Sequence, residues 1–407
     1  MTAVRILRLA TGGDGVGRLE DGRTVFIPRT AAGDLVEISD LRAHRRYARA
    51  RPSRILERSA RRVEPRCPHY DGDECGGCQL QHLDAAAQRE ARRGFVGDAL
   101  RRIARLDLPD PEIVPAEAQF EYRTKITLAV DQGGRRIGLH PLDRPDRVFD
   151  LVRCHITSAE LMALWTDLGA LRELLPRNLR HVVLRLDRSG GRHLLLVTTG
   201  TAPWAGAGAL HRALGAGGAR ITIWLQPEDR EAEAVAGDAG PFPATVFEQV
   251  NPVMGDKVRA YALAALGDVA GRHVWDLYAG IGETTAALLR AGATVESVES
   301  DPGAVAEAEA RGPAAERHVG RVERILARLR PPALVVTNPP RAGMDARVVA
   351  ELARVAPARI VYISCDPATL ARDLTRMPGY RLDRAVAFDL FPQTAHVETV
   401  AVLDRAS

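Results

Sequence analysis

Lysine is nearly missing from this chain. Of its 56 basic residues only Lys125 and Lys257 are lysine, a bias that reads as a habit of genome composition and not as function. Aromatic residues reach only 5%. No stretch approaches the ~18 consecutive apolar residues that a bilayer span needs. The N-terminal MTAVRILRLATGGDG lacks the apolar run of a secretory signal. The expectation is a soluble, cytoplasmic protein with no membrane partner. Cysteine is scarce at five, and an odd count without an export signal argues against a disulfide framework. Metal ligation or catalysis remains for these thiols. What is present, 46% hydrophobic and 27% charged residues in 407, excludes disorder and suggests two or three domains.

The net charge of +4 conceals an asymmetry. Residues 1–66 hold 15 arginines against 8 acids, so the first part is cationic and the remainder nearly neutral. Within residues 1–62, apolar and polar residues alternate at Val4–Leu9, Thr24–Ile27 and Leu35–Ile38. Gly-Asp-Gly-Val-Gly (13–17 with its neighbours) and Ala-Gly-Asp (32–34) supply bends. Short strands at that spacing predict a small OB-like barrel. From Arg42 to Arg66 there are ten arginines and two acids, with Tyr47 among them. A solvated charged face is one reading; on a small barrel a nucleic-acid surface is the stronger one.

The second part, 63–240, opens with Cys67, Cys75 and Cys78, with Cys154 downstream. The pair Cys75-Gly76-Gly77-Cys78 allows two thiolates on one centre, and four cysteines by themselves read as a structural zinc site. A helix is expected over Ala85–Arg105 and strands around Tyr122–Val130, Val182–Leu186 and His193–Thr198. Ala202–Arg220 reads equally as a helix or as a poorly packed connection.

The third part, 241–407, alternates strands and helices, which implies a mostly parallel sheet with helices on both faces and ligands at the carboxyl ends of the strands. Strands end at Asp276-Leu277-Tyr278, Val298-Glu299, Val336-Thr337-Asn338 and Ile363-Ser364. Helices are expected over Glu283–Ala291, Pro302–Arg311, Val322–Leu329, Asp345–Val355 and Pro367–Arg376. The first strand runs into Gly280-Ile281-Gly282, a turn that lets a cofactor approach the backbone. Glu299, about 20 residues on, stands where a carboxylate holds ribose hydroxyls. The missing third glycine argues against a dinucleotide. Asn338-Pro339-Pro340-Arg341 is either a rigid turn or a site loop. Cys365 ends a strand just before a helix, a position that lowers a thiol's pKa and makes a nucleophile; a buried inert cysteine is the alternative. Glu398, in an otherwise apolar strand, is either a desolvated general base or a surface residue on an edge strand.

These residues carry a resemblance. The third part closely resembles the uracil-C5 RNA methyltransferases that use S-adenosylmethionine. Five motifs match in order: Phe247-Glu248-Gln249-Val250-Asn251; Asp276 through Gly282; Asn338 through Arg341; Ser364-Cys365-Asp366-Pro367 through Leu374; and Phe391 through Glu398. The first part resembles the TRAM domain, a small RNA-binding barrel. The implied architecture is a class I (Rossmann-like) methyltransferase domain behind that barrel and a central α+β iron–sulfur domain. The implied chemistry has Cys365 adding to uracil C6, Glu398 removing the C5 proton, and Arg341 stabilising charge on the uracil oxygens. Gln249, Tyr278, Gly280, Glu283, Glu299 and Asn338 match positions at or beside the cofactor. Phe247 matches one that stacks on a base. Relatives acting on large-subunit rRNA hold a [4Fe–4S] cluster with Cys…Cys-Gly-Gly-Cys and a distant fourth cysteine, which implies Cys67, Cys75, Cys78 and Cys154 here. The spacing between Cys67 and Cys75 is longer than in relatives. Asp366 stands where Asn is common, and Gly320-Arg321 supply no acid at the end of the third strand. The expected RNA is 23S rRNA, with the tRNA T-loop as the alternative. Two rivals are an amino-group methyltransferase, which wants an aromatic residue where Arg341 stands, and a non-catalytic RNA-binding factor.

Overall fold

The computed structural model describes residues 2–406, apart from 217, 219, 239–248 and 313. The alternating N-terminal residues form a six-stranded sheet from Thr2–Arg5, Arg8–Leu9, Gly15–Arg18, Thr24–Ile27, Leu35–Ala43 and Tyr47–Glu57. All pairings are antiparallel except Thr24–Ile27 with Tyr47–Glu57. The two long strands shift register three times along their shared ladder, and such bulges bend a strand. The sheet thereby encloses Val4, Ile6, Val25, Ile27 and Val36. The glycines of the predicted bend have two jobs. Gly12 and Gly13 turn the chain with positive φ, whereas Gly17 sits in a strand where a Cβ would lie 2.2 Å from Val4 Cγ1.

The chain divides into two compact units, Met1–Val63 with His82–Glu117 and Val246–Ser407, and Glu64–Gln81 with Ala118–Thr245. The expected continuous segment 63–240 is therefore interrupted. Helix α1 (Ala85–Arg102), capped by Asp84 accepting from the Ala87 amide at 2.7 Å, belongs to the first unit. The reason is its apolar face: Val96 and Leu100 pack with Ala387 and Val397.

The second unit is a seven-stranded sheet around Leu179–Leu186 and Arg192–Thr198. Helices Ala159–Gly169 and Ala207–Leu214 cover its core. The stretch 202–220 thus contains a helix, with Leu210 and Leu214 buried.

In the first unit, the strand–helix alternation forms an eight-stranded sheet. Its strands are β1 (Glu112–Val114), β2 (His273–Leu277), β3 (Thr294–Glu299), β4 (Glu316–Val319), β5 (Leu334–Thr337), β6 (Arg359–Ser364), β7 (Tyr380–Phe388) and β8 (Glu398–Arg405). Their order is β4-β3-β2-β5-β6-β8-β7-β1. Strands β2 to β6 pair in parallel, and β8 inserts antiparallel between β6 and β7. Helices α2 (Pro252–Leu266), α3 (Glu283–Arg290), α4 (Pro302–Arg311), α5 (Ala346–Val355) and α6 (Pro367–Thr375) accompany it. Separate buried clusters form around Val274, Val361 and Val400, and around Trp275, Leu352 and Tyr362. Such two-sided burial suits the near-continuous apolar strands. Among the described residues, no helix is long and apolar enough to cross a membrane.

The barrel is tied at its end by Asp34, which is fully buried and accepts from the Ala31 amide at 2.7 Å, the Ser59 amide at 2.9 Å and Arg62 Nε at 3.0 Å. Asp34→Ala would strand the Arg62 guanidinium, which is buried too. A loss of about 3–5 kcal/mol is expected from breaking such a pair, read as faster hydrogen exchange at the Val25 and Val36 amides. Unchanged protection would show that the ion pair does not hold the barrel.

Candidate active site

Every motif singled out at a strand end opens toward one side of the eight-stranded sheet. After β2 the backbone is left-handed at Tyr278 (φ 61°), Gly280 (55°) and Gly282 (75°). Glycine takes this conformation freely, but for a tyrosine it is uncommon and strained. The turn is held by Glu299 at the end of β3, whose carboxylate accepts from the Gly280 amide at 2.9 Å and the Asp301 amide at 2.9 Å. Asp276 lies beneath, wholly buried, accepting from Thr285 Oγ1 at 2.6 Å. Burial pushes its pKa to about 6 against that hydrogen bond, and the charge of Glu299 adds to the rise.

After β5, Asn338-Pro339-Pro340 leads to Arg341, an exposed side chain whose Nε is 3.6 Å from Asp366 Oδ2. Asp366 in turn caps α6, accepting from the Thr369 amide at 2.9 Å. Cys365, between β6 and α6, is partly buried. Its thiol is not lowered as its position before a helix suggested. Burial raises it, the charge of Glu398 raises it further, and Arg341 only partly opposes them. Desolvation of the thiolate is the largest of these causes.

Glu398 begins β8, an interior strand, so the edge-strand alternative falls. It is 2% exposed, and burial alone pushes its pKa to about 8. The register explains its neighbour. Ser364 of β6 pairs with Thr399 of β8, so one step farther along this antiparallel pair places Cys365 opposite Glu398.

Gln249, Tyr278, Gly280, Glu299, Asn338, Arg341, Cys365 and Glu398 all line one cleft of about 690 Å³. Glu283 does not. It lines an adjoining pocket of about 80 Å³, and its carboxylate pairs with Arg259 Nη1 at 2.7 Å. Phe247 lies outside the described residues. The sequence reading missed Glu323, which lines the cleft two residues beyond the strand-end segment that lacked an acid; its place in the first turn of a short helix was the available signal. It also missed Gln88 and Arg92 on α1, which bond to the segment before Glu398. Nothing local in the sequence marks those two.

In the second unit, Cys67 and Cys78 are buried together with Tyr70, Tyr122 and Ile156, and Cys154 packs against them. Cys75 is buried in the adjoining core. The Cys78 thiol is raised first by burial, and the charges of Cys154, Cys75 and Cys67 also raise it. Among the described residues, no three cysteine sulfurs lie within 4.8 Å of one another.

On the barrel, not all ten arginines of the basic run face solvent. Arg62 turns inward to Asp34, and Arg61 Nε donates to Asp84 at 2.8 Å. Arg42, Arg45, Arg46, Arg49, Arg54 and Arg58 are exposed. Tyr47 stacks on His44 with ring centroids 4.5 Å apart, beside those cations.

Comparison with known proteins accords with this architecture. Residues 306–406 match the family model described as tRNA (Uracil-5-)-methyltransferase, and residues 2–52 match the TRAM domain. The 23S rRNA (uracil(1939)-C(5))-methyltransferase RlmD of Thiobacillus denitrificans is 33% identical over 437 residues, covering 99% of this chain and 99% of the relative. An uncharacterized RNA methyltransferase of Corynebacterium glutamicum is 32% identical, over 100% of this chain and 97% of its own. The solved tRNA (uracil-54, C5)-methyltransferase of Pyrococcus abyssi, in complex with S-adenosyl-L-homocysteine, shares the fold with a TM-score of 0.77. It is 24% identical and covers 98% of this chain and 99% of that one. Near-complete coverage at a third identity leaves one conclusion: the chain belongs to the RNA uracil-C5 methyltransferases, S-adenosylmethionine-dependent enzymes, and carries a TRAM domain ahead of the catalytic fold.

Proposed function

We propose that this enzyme methylates C5 of a uridine in 23S rRNA through a covalent bond between Cys365 and uracil C6, with Glu398 as the base. The observation that carries this reading is that Cys365 and Glu398 both line one cleft, each next to the Ser364–Thr399 pair that joins β6 to β8. Uracil C5 is a poor nucleophile. Addition of the Cys365 thiolate to C6 moves the ring's double-bond electrons toward C5 and O4, and makes C5 reactive. Arg341, at the cleft wall, is placed to meet the charge that develops on the uracil oxygens. The methyl group that C5 receives comes from S-adenosylmethionine, whose sulfonium makes it electrophilic. The Glu398 carboxylate then takes the C5 proton. The pair of electrons left behind re-forms the C5–C6 double bond and expels the Cys365 thiolate. The strained turn at Tyr278–Gly282, Glu299 and Asn338 would hold the cofactor, its ribose on the Glu299 side.

The RNA is inferred from the full-length relatives that act on 23S rRNA. A tRNA substrate is the second reading, because the matching family model is described by that activity. The exposed arginines around His44 and Tyr47 would bind phosphates and stack on a base.

The four cysteines of the second unit are proposed to hold a [4Fe–4S] cluster. Burial disfavours the thiolates of Cys67 and Cys78, and a bound cationic centre would reverse that. A tetrahedral zinc with Zn–S of ~2.3 Å would draw its sulfurs to about 3.8 Å of one another. Among the described residues, no three of these sulfurs lie that close together. A cluster in this place would be structural, joining Cys67, Cys75 and Cys78 to the distant Cys154. Purified protein is expected to contain iron and acid-labile sulfide in equal amounts, and Cys78→Ala to lose both while Cys365→Ala keeps them. Stoichiometric zinc without sulfide would refute the cluster.

Labelled methyl donor offered with 23S rRNA and with tRNA tests the activity and the substrate together. Cys365→Ala is expected to transfer nothing and to form no denaturation-resistant adduct with 5-fluorouridine RNA. Glu398→Gln is expected to form the adduct and hold it. Full transfer by Cys365→Ala would end the covalent reading.

Glu398 also sets a pH dependence. As a base it works only when ionised, so kcat/KM is expected to rise with pH through about 8. Its folded pKa stands above the ordinary 4.5, so folding stability is full below 4.5 and declines as pH rises through 8. Glu398→Gln should therefore melt higher than the wild type at pH 9 and match it at pH 4.5. Equal melting temperatures at both would show that the carboxyl is not desolvated.

A further inference from the structure

Glu398 is aimed by a segment it does not belong to. The chain between β7 and β8, Asp389 to Val397, carries Phe391 into the cleft wall and delivers Glu398 at its end. Two residues of α1, one turn apart on the same helix face, grip that segment. Arg92 is completely buried. Its Nε donates to the Thr394 carbonyl at 3.1 Å, and its Nη2 donates to the same oxygen at 2.8 Å and to the Phe391 carbonyl at 3.3 Å. Its Nη1 lies 3.1 Å from Asp389 Oδ1, in a carboxyl group equally buried. Gln88 reads the next residue in both directions. Its Nε2 donates to Gln393 Oε1 at 2.9 Å, and its Oε1 accepts from the Gln393 amide at 2.9 Å. Gln393 needs this support, since its φ of 72° is unfavourable for a side chain other than glycine.

We propose that Gln88 and Arg92 are positioning residues for Glu398: they fix the Asp389–Val397 segment so that the carboxylate reaches the C5 proton of the ring held by Cys365. Cys365 itself stands between β6 and α6, and α1 meets α6 through an apolar cluster of Val96, Leu100 and Leu374, a turn or more along the helix from Gln88 and Arg92. The polar grip on the segment before Glu398 and the apolar packing behind Cys365 are therefore made by different residues of α1. Loosening the grip should impair release of the methylated product and spare formation of the adduct. A buried ion pair that merely stabilised the fold would affect both steps alike. The inference rests on Glu398 being the base.

The experiment uses the full-length protein with its cofactor and two RNAs, one with uridine and one with 5-fluorouridine at the target. The fluorinated ring offers no C5 proton, so adduct formation on it reads the Cys365 step alone. Turnover on the ordinary RNA reads both steps. For Gln88→Ala, which leaves the Arg92–Asp389 pair intact, adduct formation should stay near the wild-type rate. Turnover should fall by about 10–100-fold, the scale of a 1 Å misplacement, and adduct should accumulate on ordinary RNA. Arg92→Lys should behave the same way, more severely. Wild-type turnover in Gln88→Ala would overturn the proposal, as would an equal loss in both assays. Glu398→Gln run beside them separates the premises. If it accumulates no adduct, the base assignment fails; if it does and Gln88→Ala does not, only the positioning role fails.

Discussion

Keeping one carboxyl group dry is the constraint around which the catalytic unit is arranged. Glu398 sits at the start of an interior strand, and burial alone accounts for its raised pKa. In water a carboxylate is a weak base. Stripped of hydration it becomes one matched to removing a carbon-bound proton near neutral pH. Strand β8 makes this geometry available by running antiparallel between β6 and β7, which brings its first residue to the same end of the sheet as the last residues of the parallel strands. Glu398 also acts on its neighbour, because its charge raises the Cys365 thiol. Groups coupled in this way lose their protons as a pair.

The walls of the cleft are held from below with comparable care. Asp373, fully buried, accepts from the Tyr362 hydroxyl at 2.9 Å and from the Met344 amide at 2.9 Å. It thereby joins α6 to β6 and to the loop that follows Arg341. Arg372 extends the tie by donating to the Ala342 carbonyl at 2.7 Å. The helix behind Cys365 and the loop bearing Arg341 are thus tied to each other by the buried Asp373 and the partly exposed Arg372. On the cofactor side, Glu299 performs the equivalent service for the left-handed turn at Tyr278 and Gly280. Bonding by a charged acceptor to backbone amides offsets the strain of that turn.

What the sequence made legible were the strand-end motifs, because they combine an apolar run with residues whose chemistry is unusual at that place: glycines after Leu277, two prolines after Asn338, a cysteine before Pro367, an acid among Val397, Val400 and Val402. Local patterns of this kind also marked the helices around them, with ends moved by only a few residues, as where Val322–Leu329 proved to be an α-helix over Val322–Ile325 and a 3-10 turn over Leu326–Arg328. Less legible was any property set by distant packing. The thiol of Cys365 is raised because burial and Glu398 outweigh Arg341, and the pairing of β6 with β8 is not written in either strand alone. Glu283 stood in a matching motif yet is engaged by Arg259. Likewise the basic run could be counted, but not divided into the arginines that face solvent and Arg62, which turns inward to Asp34.

Helix α1 shows why a reading along the chain misplaces whole elements. It follows the cysteine cluster directly in sequence, yet it packs on β7 and the segment before β8, residues some 300 positions later. It also meets the barrel, with Arg8 Nη1 donating to Asp98 at 2.7 Å and Arg61 to Asp84. The same helix therefore meets both the N-terminal barrel and the segment that precedes Glu398. Contacts of such sequence separation are costly to form and come late in folding. The base loop, with a left-handed glutamine and buried carbonyls waiting for donors, is not self-supporting before they form. A chain whose barrel and eight-stranded sheet had formed without docking α1 would leave the segment before Glu398 without Arg92 and Gln88, and α6 without Val96 and Leu100.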